Sequence, residues 1–130
     1  MKLDESIKRM ELREQLIGIA MLKEGEYEDY FTELEMYRGL QRIKDEIEYY
    51  RTIFTPICDG SPEHSDIFNN FMCWAYGCGD FEFGWMGRMR ITKDSRAFFD
   101  GEFKEEYGSD IFDKLRPVAE RVWELGKEQV

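Results

Sequence analysis

FEFGWMGRMRIT, residues 81–92, is the stretch in which the apolar period of this chain changes. Phe81, Phe83, Trp85, Met89 and Ile91 fall to one side, and Glu82, Met86, Arg88, Arg90 and Thr92 to the other. That two-residue alternation belongs to a strand, and Gly84 and Gly87 mark a bulge or tight turn inside it. Residues before it repeat in threes and fours, so this stretch separates an α+β chain from an all-helical one. The expected architecture is α+β: an N-terminal helical hairpin of two long helices, a small antiparallel sheet and a closing C-terminal helix.

Working forward, Ala97-Phe98-Phe99 and Glu102-Phe103 flank Asp100-Gly101, a dipeptide that tolerates positive φ. This reads as a second short hairpin, giving a sheet of two to four strands. Ser109 then caps a last helical segment, which Pro117 opens or kinks, with Val118, Val122 and Leu125 facing inward.

Working backward, Ile67, Phe68, Phe71, Met72 and Ala75 form one face of a helix ending at Gly77. A strand over residues 71–76 is the less favoured alternative. Residues 55–64 read as a loop, with Asp59-Gly60 as a turn and Ser61-Pro62 as a helix start. The first predicted helix carries Leu3, Ile7, Met10, Ile17 and Met21 with Glu14 interrupting; Asp4 or Ser6 caps it and Gly25 ends it. A second spans residues 26–54 and is halted by Thr55-Pro56. Met36, Leu40, Ile43, Ile47, Tyr50 and Phe54 make a heptad seam along it, suited to hairpin packing or a coiled coil. Tyr27, Tyr30, Phe31 and Leu34 project from nearly the opposite side, so this helix is either buried on two faces or broken near Gly39. Residues 1–55 are thus expected as the hairpin and 56–130 as the mixed part of one domain, without repeats or linkers.

Apolar residues make up 42% of the 130, enough for a core of ordinary size, and charged residues 35%. No stretch approaches the roughly 20 apolar residues of a membrane span, and the opening residues lack the apolar centre of a secretion signal. Three cysteines, an odd number, fit a reducing cytoplasm better than a disulfide framework.

Cys58, His64, Cys73 and Cys78 form C-x5-H-x8-C-x4-C. Three Cys and one His is a legitimate structural zinc set, but the spacing matches no common zinc module. On a helix over residues 62–76, His64 and Cys73 would stand roughly 13 Å apart along the axis. No metal and no cofactor is expected. The motifs of nucleophilic, nucleotide-dependent and zinc-protease catalysis are missing from the sequence, and the reading is noncatalytic.

Charge is the more informative signal. The formal net charge is −10, which speaks against direct nucleic-acid binding and favours a basic partner. Residues 24–35 hold Glu24, Glu26, Glu28, Asp29, Glu33 and Glu35 with no Lys or Arg; residues 100–113 hold six acids against Lys104. Glu26, Tyr27, Glu28, Asp29, Glu33 and Glu35 are therefore the candidate partner-binding residues, with Tyr30 and Tyr107 as further aromatic anchors. The leading expectation is an acidic interaction protein that self-associates through its hairpin. In this reading it inhibits, or mimics nucleic acid towards, a protein such as a restriction or CRISPR nuclease. The alternative is a module for a nucleotide-like anion at Arg88, Arg90 and Arg96, where Arg88 and Arg90 share a strand face. A zinc-stabilised or enzymatic domain ranks third.

Overall fold

A computed structural model describes residues 2–23, 30–51 and 66–127 of the chain. Its elements are α1 (Glu5–Lys8), α2 (Leu12–Met21), α3 (Glu33–Ile43), α4 (Asp66–Gly77), β1 (Phe81–Phe83), β2 (Met89–Ile91), α5 (Lys93–Tyr107) and α6 (Ile111–Lys127). Short 3-10 turns occupy Glu48–Tyr50 and Trp85–Gly87. The class is α+β, mostly helical.

The first predicted helix is two helices. Asp4 caps α1 by accepting from the Ser6 amide at 2.8 Å. The chain then breaks before Glu11, where a reciprocal capping box with Glu14 starts α2. Glu14, which interrupts the apolar pattern, therefore serves the helix start. Gln15 through Met21 are all buried, so α2 is enclosed on every side rather than lying along a surface.

The second predicted helix is shortened from both ends. Thr32 caps α3, while Phe31 before it is extended and exchanges two backbone hydrogen bonds with Met89, at 2.8 and 2.7 Å. Those bonds add one further residue pair to the sheet. The heptad positions Met36, Leu40, Ile43, Ile47 and Tyr50 are all buried, the last two beyond the end of α3. Phe54, Tyr27, Gly25 and the 55–64 loop lie outside the described residues.

The expected hairpin between the first two helices is replaced by a different pairing. Both α2 and α3 pack chiefly on α6. The α3–α6 contact is close because it uses glycines: a Cβ on Gly39 would overlap the Val122 carbonyl, and one on Gly126 the Glu35 carbonyl. On α6, Leu115, Val118, Ala119, Val122 and Trp123 are buried, and Pro117 lies inside the helix rather than opening it. The seam expected to bind a second copy is thus spent on the chain's own core.

The strand expectation holds for residues 81–83 and 89–91, an antiparallel hairpin with Phe81 opposite Ile91, Glu82 opposite Arg90 and Phe83 opposite Met89, although Phe83 is exposed rather than on the buried side and Trp85 lies in the turn. Two consecutive left-handed residues, Met86 (φ 56°) and Gly87 (φ 72°), turn the chain between them. The hairpin expected around Asp100-Gly101 is instead the middle of α5. The Thr92 hydroxyl accepts from the Ser95 amide and the Ser95 hydroxyl donates to Asp80, fixing the helix start against the sheet. Phe99, Phe103 and Tyr107 then recur every four residues as a ring ladder. That helical spacing outweighs the Asp-Gly turn signal. The expected α4 forms, with Phe68, Phe71, Met72 and Ala75 buried and Ile67 partly so.

Candidate functional site

Helix α5 sorts its charges by face. At about 100° per residue, Asp94, Phe98, Gly101, Glu102 and Glu105 share one side, and all five are exposed. Lys93, Arg96, Ala97, Asp100 and Lys104 share another, roughly a third of a turn away. The helix buries Phe103 fully, with Phe99 and Tyr107 partly covered beside it. Phe98 is 58% exposed and rests edge-on against Phe99 at 5.2 Å. Glu102 and Glu105 make no ion pair among the described residues, and the exposed Glu106 borders the same side.

The cationic side of α5 faces the start of α6 across a cleft of about 520 Å³. Lys93, Arg96 and Lys104 line it from α5 and Arg116 from α6, with Asp100 and Asp113 also in its walls. Met21, Leu22, Ala97 and Phe112 supply apolar surface. Arg96 is fixed by donating to the Met21 carbonyl at 2.7 Å, which ties α5 to the end of α2. Lys104 pairs with Asp100 at 3.2 Å.

The candidate residues read from the sequence are distributed differently. Glu33 is exposed at the start of α3, and its charge, after burial, helps hold the Tyr76 hydroxyl above its ordinary range. Glu35 is only 20% exposed at its side chain; it accepts from the Thr32 hydroxyl and pairs with Arg88 at 3.8 Å. Glu26, Tyr27, Glu28 and Asp29 lie outside the described residues.

Arg88, Arg90 and Arg96 do not converge on one ligand position. Arg88 turns to Glu35, while Arg90 donates to Glu82 at 2.6 Å and stacks over Tyr30 at 4.7 Å. Only Arg96 reaches the cleft. The cross-strand register that sets Arg90 opposite Glu82 supplies the partner, so the strand-face arginines serve the fold. Lys93, Lys104 and Arg116 complete the cations of the cleft, and a turn at Asp100-Gly101 would have separated Lys104 from Lys93 and Arg96. The three- and four-residue steps from Lys93 through Arg96 and Asp100 to Lys104 were the available signal for the α5 wall.

Cys73 and Cys78 are exposed free thiols, and no set of three metal-ligating side chains gathers among the described residues. Cys58 and His64 lie outside them. No helix among the described residues is long and apolar enough to cross a membrane. Compared with family models, curated proteins and solved structures, the chain matches none.

Proposed function

We propose that this chain is a noncatalytic interaction protein whose acidic surface engages the basic face of a nucleic-acid-handling protein, inhibiting it by occupying the place of nucleic acid. The observation that carries the reading is the outward side of α5, where Glu102 and Glu105 stand exposed around the exposed Phe98. Unpaired carboxylates steer a cationic partner, and one aromatic anchor supplies the apolar centre that interface energy needs. The strand arginines support it too, because their internal pairing leaves them less able to mask the surplus of acid. Glu33 and the acids of residues 24–29 belong to a separate acidic block of the sequence.

The test is displacement of a fluorescent DNA duplex from a panel of restriction and CRISPR nucleases by the full chain. Displacement is expected from at least one member, weakening steeply as salt rises. The Glu102→Lys/Glu105→Lys variant should lose it while keeping the parent's circular dichroism and melting temperature. Failure against the whole panel, or displacement untouched by charge reversal on α5, would count against the reading.

A further inference from the structure

The cleft between α5 and α6 concentrates positive charge on a strongly acidic chain. Four of its lining residues are cations and two are carboxylates, whereas the whole chain carries −10. The cations approach from both walls: Lys93, Arg96 and Lys104 from α5 and Arg116 from α6. Two of them are positioned by contacts of the fold. Arg96 is held by the Met21 carbonyl, and Lys104 lies between Asp100 and the face of Phe112, 5.9 Å from that ring's centre. A cleft of about 520 Å³ lies within the usual range for small-molecule sites of about 300–1,000 Å³.

We propose that this cleft binds a small organic anion with more than one negative charge and an apolar or aromatic part, of which a nucleoside diphosphate is the representative chemistry. Arg116 and Arg96 bring guanidinium charge, suited to phosphate or carboxylate oxygens, to the two walls of the cleft, and Lys93 at the first turn of α5 adds a point charge. Met21, Leu22 and Phe112 give the uncharged part of the ligand a dry surface. Asp100 and Asp113 set a limit on the chemistry: they disfavour an anion that fills the whole cleft and leave room for donors on its neutral part, such as ribose hydroxyls. The inference is independent of the acidic face of α5, which points elsewhere.

The experiment is a melting-temperature titration of the full chain with ADP, pyrophosphate and adenosine, in low salt without divalent cations. A site of this kind raises the melting temperature with ADP in a saturable way, by RT ln(1 + [L]/Kd), and adenosine alone does not. The variants Lys93→Gln and Arg116→Gln, each with the parent's circular dichroism and each titrated from its own unliganded melting temperature, should weaken ADP binding at least tenfold. Amide chemical-shift changes with ADP should gather at Ala97, Ser109 and Asp113. No response to ADP or pyrophosphate up to 5 mM, equal response to adenosine, or a response unchanged in both variants would overturn the proposal.

Discussion

Glu35 of α3 and Arg88 at the edge of β2 stand 3.8 Å apart, with 20% and 34% of their side chains exposed. The pair joins a member of the acidic block of residues 24–35 to one of the two arginines expected to share a strand face. Arg90 is occupied in the same manner by Glu82 and Tyr30. The strand arginines therefore neutralise acids next to them, whereas Glu102 and Glu105 on α5 have no ion pair among the described residues.

Arg88→Ala should consequently cost little stability, under about 1 kcal/mol, as expected for a partly exposed pair. It should also make the surface more acidic and raise affinity for a cationic peptide. Urea denaturation measures the first effect and fluorescence anisotropy with a labelled oligolysine the second.

At the α3–α6 crossing, Gly39→Ala places a methyl group on the Val122 carbonyl and Gly126→Ala on that of Glu35. Alanine favours a helix by about 1 kcal/mol over glycine, yet each substitution should lower stability by on the order of 2 kcal/mol, because backbone cannot yield as a side-chain tip can. Gly101→Ala meets nothing within 4 Å in the middle of α5 and should be neutral or stabilising. Thermal melts of the three variants would separate the crossing from ordinary helix propensity.

The contrast between Gly39 and Gly101 shows where the sequence was legible. Periodicity identified α4 and the β1–β2 hairpin, since Phe68, Phe71, Met72 and Ala75 mark a helix face locally and Phe81 to Ile91 alternate locally. It did not identify which helices pair, because Gly39 and Val122 are far apart in sequence and a close crossing leaves no local pattern beyond a glycine. Asp100-Gly101 misled for the opposite reason: a local turn signal was overruled by the Thr92 cap and the Phe99–Phe103–Tyr107 ladder. The candidate site inherited that error, and the charge segregation on α5 appears only once residues 93–107 are helical.

Buried Gln15 links three parts of the core. Its amide donates to the carbonyls of Ile7 and Met10 and to the Tyr49 hydroxyl, and its oxygen accepts from the Tyr50 hydroxyl at 2.7 Å. Tyr50→Phe removes the donor to that oxygen and should cost about 1–3 kcal/mol. Gln15→Leu should cost more, since two carbonyls lose a donor. In a double-mutant cycle followed by urea unfolding, the two losses should sum to more than the loss in the double variant.

Burial, with a smaller effect from Tyr49, holds the Tyr50 hydroxyl well above its ordinary range, and burial and the Glu14 hydrogen bond do the same at Tyr107. Both groups stay neutral in the folded chain after the unfolded chain has begun to ionise. Their contribution is therefore complete below the ordinary tyrosine value of about 10 and is lost as pH rises above it. The Glu46 carboxylate is shifted the other way by its hydrogen bonds from Arg121, at 2.7 and 3.0 Å. Its contribution is present above the ordinary glutamate value of about 4.3 and fades as pH falls through the lower folded value. Melting temperature should thus decline on both sides of a broad plateau, and Tyr50→Phe should flatten the alkaline limb alone.

Phe98 offers the sharpest separation between an interface and a merely solvated acidic helix. Its ring is exposed and at the centre of the carboxylates, so Phe98→Ala should leave folding stability within about 0.5 kcal/mol of the parent. If that ring anchors a partner, the same change should weaken binding by on the order of 2 kcal/mol, some 30-fold.

The central claim is tested most directly by the DNA-displacement assay with the parent and the Glu102→Lys/Glu105→Lys variant side by side at two salt concentrations. The account predicts displacement by the parent at low salt, strong loss of it at high salt, and none by the variant. Equal displacement by parent and variant, or no displacement from any nuclease of the panel at low salt, would contradict it.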